Sequence, residues 1–255
     1  MKHKNLIFVL FTVLLSCQGN DENDSNPDLG LNPLLTQVVI NYPDNSMFSK
    51  FYRYKNINQI QEIINSDGTT ELYTYTNDLI TGIEYLFEDP AFRDEVFYTY
   101  DKQKRLTQEV HLYHHNSSGM RTVFTHNGNG TVSYIRYLGN LTQQTDQVFK
   151  GIYMLGANGE ILQHIETNVE TDEKRLFSYA YDNKDSAYKN ILDGSVGFEY
   201  ILNGPHNMLS MSMEDNGGNI IYSYTSTFSF NRDKYPEIEF RTSQTGITEI
   251  FYNYK

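Results

Sequence analysis

From Leu34 to the C-terminus the chain alternates apolar and polar residues in short runs, each run ended by a cluster of Asn, Asp, Gly or Lys. Val96, Tyr98 and Tyr100 fall on one face of an extended segment. Beyond the turn-like DKQKR, Leu106, Gln108, Val110 and Leu112 share one face, and Thr107, Glu109, His111 and Tyr113 the other. A period of two with β-branched and aromatic residues is the signature of a half-buried strand, so this stretch predicts a hairpin with one more apolar side and one amphipathic, tyrosine-bearing side. FYRYKNINQIQEI, LYTYTNDLITGIEY and FSFNRDKYPEIEF repeat the pattern.

The repetition has a period. The aromatics that precede each turn, Tyr54, Tyr75 and Tyr100, are 21 and 25 residues apart. His126, Met154 and Tyr181 occupy similar positions 26, 28 and 27 residues further on, and Phe230 and Tyr254 follow 24 residues apart, with Tyr200 between Tyr181 and Phe230. TNDL, NGNGT, LGANGE, LNGPHN and DNGGN supply turn chemistry between them. Two strands and two turns fill such a repeat, so each unit is one hairpin. No segment holds a helical apolar period over three turns; Asp182–Leu192 suits a short helix or a wide loop, and DPAFRDE a turn of helix. The prediction is an all-β, long antiparallel meander of about 12 to 16 strands. A sheet that long must curl, split or close. Tyr rings pack while their hydroxyls stay wet, which favours a strongly curved sheet or partial barrel, with a two-sheet sandwich as the alternative.

The N-terminus departs from this pattern. MKHKNLIFVLFTVLLSC has two lysines, a short apolar run and then Cys17, the chain's single cysteine. The run is too short for a spanning helix and reads as a signal segment, residues 1–16. LLSC resembles the lipobox of bacterial lipoproteins, which implies a lipidated Cys17 and attachment to a membrane through it. Residues 17–33 hold Asp21, Glu22, Asp24 and Asp28 and no basic residue, the composition of a flexible tether. The acidic run after the cysteine resembles the surface-export signal of Bacteroidota lipoproteins, implying outer-membrane, surface-exposed placement, or otherwise a periplasm-facing one. Residues 34–255 then form a single β domain. The formal charge is −12, or −14 once Lys2 and Lys4 are removed, which disfavours nucleic acid and anionic headgroups as partners.

YAYDNKDSAYKNIL, FSFNRDKYPEIEF and ITEIFYNYK resemble the C-terminal half of Bacteroidota lipoproteins of unknown function. That resemblance implies a porin-like or half-barrel β fold and assigns no catalytic or binding residue. The sequence departs from it at Ser186-Ala187-Tyr188, where a proline–phenylalanine pair is usual. The hairpin units also resemble the tyrosine–aspartate repeats of Rhs-type shells, although this chain is too short to enclose a cargo.

Candidate chemistry is sparse. His111 and His115 share a strand face about 13 Å apart and His114 opposes them, so a metal would need His126 or His164 from other strands; no metal is expected. Ser186 and Lys189 have the spacing of a serine–lysine pair without its accompanying motifs, and Asp185-Ser186-Ala187 resembles a Bacteroidota O-glycosylation sequon. DENDSN lacks the glycine and closing glutamate of a calcium loop. Glu84, Glu88, Asp89, Asp94 and Glu95 suit solvated turns and edges. The chain has 21 Tyr, 15 Phe and no Trp, which weakens a sugar-stacking platform somewhat because Trp is the best stacking face. The expectation is a cofactor-free, non-enzymatic binding module for an envelope polymer, peptide or protein, with Tyr54, Tyr75 and Tyr100 as binding-face aromatics. A carrier of lipid on the concave face is the alternative. The polar faces carry Gln, Glu, Arg and His too often for the lipid-facing alternation of an integral porin.

Overall fold

The computed structural model describes residues 33–56, 58–89, 92–191 and 204–255. The expected signal segment, Cys17 and all but the last residue of the tether lie outside the described residues, as does Tyr200.

The first eight strands are β1 (Leu35–Asn41), β2 (Met47–Tyr54), β3 (Ile60–Asn65), β4 (Thr70–Thr76), β5 (Leu79–Leu86), β6 (Arg93–Tyr100), β7 (Leu106–Tyr113) and β8 (Ser118–His126). The second eight are β9 (Thr131–Asn140), β10 (Gln144–Leu155), β11 (Ile161–Asn168), β12 (Lys174–Asp185), β13 (His206–Glu214), β14 (Ile220–Phe230), β15 (Pro236–Ser243) and β16 (Gly246–Tyr254). Each strand pairs antiparallel with its sequence neighbours, and β1 pairs with β16 through Val38↔Tyr252 and Ile40↔Ile250, so sixteen strands form one closed barrel. Leu34 and Lys255 exchange main-chain hydrogen bonds at 3.3 and 3.0 Å beside this seam. Closure removes both exposed edges, which a curved open sheet or a sandwich would have kept. Residues 187–191 are turns rather than helix, and His114–Asn116 is one turn of 3₁₀ helix.

Turn composition explains the hairpins. In DKQKR, NGNGT, GANGE, DNGGN and NRDKY, the first residue's N–H donates to the fifth residue's carbonyl. The fourth residue takes a positive φ: Lys104 61°, Gly130 78°, Gly159 82°, Gly218 76°, Lys234 67°. A leading Asp or Asn adds side-chain acceptance, as when Asp101 Oδ1 accepts from the N–H groups of Gln103 and Arg105. In TNDL, Asn77 and Asp78 both have positive φ, the conformation of a two-residue hairpin turn.

At one end of the barrel the register shifts by one residue in nearly every repeat. The second residue of β1, β3, β7, β11 and β15 is bulged, as are Thr81 of β5 and Leu209 of β13; Thr99↔Gln108 is thus followed by Tyr100↔Leu106. A bulge lets two residues oppose one, so the residue before the bulged one and the second residue after it both face inward. Leu35 and Val38, Ile60 and Ile63, Ile80 and Ile83, and Leu106 and Glu109 are such pairs, and all eight are buried. This corrects the expected face of Leu106. Thr107 is the extra residue, so Leu106 turns inward with Glu109, His111 and Tyr113, while Gln108, Val110 and Leu112 face out.

The pre-turn aromatic of the next strand closes over each bulge. Tyr54 Oη donates to the Leu35 carbonyl at 2.5 Å, Tyr100 to Ile80 at 2.8 Å, Tyr181 to Ile161 at 3.1 Å and Tyr254 to Pro236 at 2.7 Å. His126 Nε2 meets the Leu106 carbonyl at 2.7 Å. Tyr75 makes the same approach to Ile60. Beneath this ring lie two buried clusters. One centres on Ile83, Val96, Tyr98, Phe124, Val132, Tyr134 and Tyr153, the other on Val38, Tyr52, Ile63, Ile250 and Tyr252.

Candidate functional site

The long β12–β13 connection supplies a further piece of the interior. Ala187 and Ile191 are buried against the second cluster, and Tyr188 sets its ring edge-on to Tyr252 at 6.2 Å. The Tyr52 and Tyr188 hydroxyls share a hydrogen bond, and Asn190 Nδ2 donates to the Pro33 carbonyl and to Tyr235 Oη at 2.9 and 3.0 Å. Small Ala187 and flat Tyr188 let this segment enter the barrel end rather than arch outside it.

Below Ser186–Tyr188 the interior holds a partly open cavity of about 230 Å³. Val38, Ile40, Met208, Phe228 and Ile250 form its apolar wall, and His206, Tyr224, Glu239, Arg241 and Tyr252 its polar one. Glu239 is 3% exposed and fully partnered. It accepts from Ser226 Oγ at 2.6 Å, from Tyr252 Oη at 2.7 Å and from Arg241 Nε and Nη2, both at 2.9 Å. A carboxylate is tolerable at that depth because a cation and two hydroxyls replace its water. The same carboxylate raises the Arg241 pKa against burial, which acts the other way. The guanidinium lies over the Tyr224 ring at 4.7 Å, and Tyr224 Oη meets Met208 Sδ at 2.9 Å. His206 Nδ1 is held by Glu160 Oε1 at 2.9 Å.

A second polar group sits across the interior on β9 and β11. Tyr134 Oη donates to Glu166 at 2.8 Å and meets His164 Nε2 at 2.8 Å, while Arg136 approaches Glu166 at 3.3 Å. His164 is sandwiched between Tyr153 and Phe177, with centroids at 4.4 and 4.9 Å. Burial, then the nearby Arg136 charge, lowers its pKa to about 4. Burial drives the Tyr134 phenol well above the ordinary tyrosine value. The Tyr134 ring lies over Gly151, directly opposite in the ladder, where any Cβ would collide with it. These groups have their partners within the wall and stabilise the stack.

The residues singled out from sequence are dispersed. Tyr54, Tyr75 and Tyr100 face the interior at the bulged end, half-buried, with their hydroxyls on main-chain carbonyls. Ser186 is buried and donates to the Gly204 carbonyl at 2.5 Å, whereas Lys189 pairs with Asp185 at 2.6 Å, so the two do not meet. His111 pairs with Glu109, His114 with Glu95 at 2.6 Å and His115 with Asp94 at 3.4 Å. Among the described residues no three metal-ligating side chains converge. Sequence reasoning missed the Glu239–Arg241 pair. Its only local signal is a carboxylate and a guanidinium two residues apart on one face of FSFNRDKYPEIEFRTS.

The outer face is mixed. Phe51, Phe97, Phe240 and Ile247 are exposed there, beside the ion pairs Arg53–Glu62 and Arg93–Glu84 and the outward Arg121 and Lys150. No helix among the described residues is long and apolar enough to cross a membrane, which leaves strands untested on that point.

No family model matches the chain, and no curated protein does. Among solved structures, a porin-like protein from Bacteroides vulgatus ATCC 8482 superposes with a TM-score of 0.59 at 12% identity, covering 88% of this chain and 99% of that one. A porin-like protein from Bacteroides uniformis ATCC 8492 gives 0.48 at 7% identity, covering 87% and 98%. The first likeness is one of fold.

Proposed function

We propose that the protein is an envelope lipoprotein, held to a membrane through Cys17, whose barrel binds a polar ligand inside its wall without chemical turnover. The observation that carries this reading is the cavity at the Glu239–Arg241 pair, which three tyrosines and a histidine line together with apolar side chains. A lipid carrier needs a continuous dry lining, and this polar–aromatic one argues against it. Outer-membrane or envelope placement draws on the signal-like N-terminus and on the porin-like neighbour's fold. Strand length favours attachment over insertion. Nine of the sixteen strands (β1 to β7, β11 and β15) have six to eight residues, against the roughly 9–11 that a tilted membrane-spanning strand uses, and the other seven have nine to twelve. Outward Arg53, Arg93, Arg121 and Lys150 would also be costly against lipid.

Two measurements test the reading. Cys17→Ser should release the protein from the membrane fraction and abolish labelling by a clickable fatty acid; retained labelling would refute the anchor. A ligand array of monosaccharides, envelope polysaccharides, peptidoglycan fragments, peptides and fatty acids should yield a binder and no product. A product whose formation depends on one carboxylate or histidine would overturn the non-catalytic assignment.

A further inference from the structure

The cavity's balance of charge, hydrogen-bonding atoms and volume defines the ligand class. Arg241 is neutralised by Glu239, so an incoming anion would compete with that carboxylate and leave excess negative charge in a buried place. A cation finds no unpaired carboxylate, since Glu239 accepts four hydrogen bonds and Glu160 already holds His206. What remains open is both donor and acceptor in kind. Arg241 Nη1 has no partner among the described residues, and His206 keeps Nε2 once Nδ1 is engaged by Glu160. With Nδ1 on that carboxylate, Nε2 presents a lone pair in the neutral ring and an N–H in the charged one. The Tyr188 hydroxyl, shared with Tyr52, both donates and accepts in kind. Among these stand the apolar side chains Val38, Ile40, Met208, Phe228 and Ile250. At about 230 Å³ the pocket is smaller than the roughly 300–1,000 Å³ of sites for drug-sized ligands, which suits one sugar ring better than a chain of them.

We propose that the cavity beneath Ser186–Tyr188 is a site for a single neutral polyhydroxylated ring of monosaccharide class, gripped by Arg241 and His206 with its C–H face against the apolar wall. Hydroxyls both donate and accept, matching the mixed set, and a neutral ring leaves the Glu239–Arg241 pair intact. This assignment rests on the binding-barrel reading above and specifies its ligand.

The test is calorimetry and saturation-transfer NMR on the purified full chain with glucose, galactose and N-acetylglucosamine, set against glucuronate, glucosamine and decanoate. At least one neutral sugar should bind saturably and more tightly than the uronate, the amine or the fatty acid. Arg241→Lys keeps the charge opposite Glu239 but loses the planar fork, and should weaken binding about tenfold or more. Ala187→Leu should fill the cavity and abolish binding; circular dichroism confirms that each variant is folded, and His206→Gln, which keeps hydrogen-bonding atoms in place, serves should Ala187→Leu misfold. Tighter binding of glucuronate or decanoate, or sugar binding indifferent to these variants, overturns the assignment. If no neutral sugar binds while a peptide or peptidoglycan fragment does, the monosaccharide site falls and the binding-barrel reading stands. If nothing in the full array binds, both fall.

Discussion

At the barrel end where Leu34 meets Lys255, the inward residues Leu35, Ile60, Ile80, Leu106, Val132 and Ile161 are all buried, and the neighbouring tyrosine hydroxyls are engaged by main-chain carbonyls. At the opposite end the inward residues include Lys50, Tyr85, Asp94, His111, Arg136 and Met213, and every one is partly exposed. Both ends belong to the same hairpins. The difference comes from the bulges, which at the Leu34–Lys255 end recur in nearly every repeat and bring an extra apolar residue and a carbonyl to the interior, whereas at the other end register shifts among the described residues are confined to β10 and β14. The aromatic that satisfies that carbonyl also covers the apolar residue. Stability is thereby concentrated at the bulged end, and the other end is left able to hold charge.

The most drastic way to break this comparison is alkali. Burial raises the pKa of Tyr52, Tyr54, Tyr75, Tyr100, Tyr134, Tyr179, Tyr181, Tyr188, Tyr224, Tyr252 and Tyr254. Tyr75, Tyr179 and Tyr188 reach about 12. The unfolded chain ionises its phenols near pH 10, earlier than the folded one, so this stability is complete below about pH 10 and drains as pH rises through the raised values. Tyrosinate absorbance should therefore rise together with loss of the β signal in circular dichroism, in one transition. Titration of most phenols near pH 10 with the β signal intact would show that the rings are not packed as described.

Acid acts on one histidine more selectively. His164 is neutral and buried with a pKa near 4, whereas the unfolded imidazole titrates near 6.5. The unfolded state binds the proton first, so stability present above pH 6.5 is lost as pH falls toward 4, on the order of 3 kcal/mol. Glu166, Tyr134 and Arg136 face the same ring, so the variant must isolate its share. His164→Phe keeps the stack between Tyr153 and Phe177, and Tyr134 retains Glu166. Its melting temperature should fall less than the parent's between pH 6.5 and 4. Identical pH profiles would remove His164 as the cause.

A matched pair of phenol deletions compares the ends directly. Tyr100→Phe leaves the Ile80 carbonyl without its 2.8 Å donor at the bulged end, and should cost about 1–2 kcal/mol in urea unfolding. Tyr222 faces the interior at the other end, and its hydroxyl has no hydrogen-bond partner among the described residues. Tyr222→Phe should stay within about 0.5 kcal/mol of the parent. Equal costs would erase the asymmetry.

Much of this was legible beforehand, for identifiable reasons. Alternation gave the strands, and Asn, Asp, Gly and Lys at turn positions gave the hairpins, because both are set by residues close in sequence. The recurring aromatic was visible too, but its partner was not. The Tyr100–Ile80 contact spans 20 residues and depends on a bulge at Thr81 that strict alternation conceals. Reading Leu106 as paired in face with Gln108 follows from the same omission. An apolar residue followed three positions later by another inward one, as in Ile60–Ile63 and Ile80–Ile83, is the sequence trace of that bulge. Closure was not legible at all: the β1–β16 pairing joins residues over 200 positions apart, such as Val38 and Tyr252, with nothing local to announce it. The cavity is equally non-local, since Val38, Tyr188 and Arg241 meet only once the seam has closed.

The smallest expected effect is on the outer face, and it sharpens the comparison because neither end of the interior is touched. Arg53 points outward and pairs with Glu62 at 2.7 Å, with side-chain exposures of 66% and 21%. Such a pair gains modest Coulomb energy in water and loses side-chain entropy, so Arg53→Leu should change stability by less than about 1 kcal/mol and leave Glu62 solvated. The neighbouring outward residues are already mixed, with Leu72 paired to Glu62 across the next strand, so one more leucine there makes no continuous apolar patch. Against lipid the same substitution would be strongly stabilising, because an arginine near the bilayer midplane of a barrel costs about 2–4 kcal/mol. Urea unfolding in detergent-free buffer and in phospholipid vesicles should therefore give the same small difference between the parent chain and the Arg53→Leu variant. A large gain for Arg53→Leu confined to vesicles would place this face of β2 in the membrane and reverse the argument from strand length.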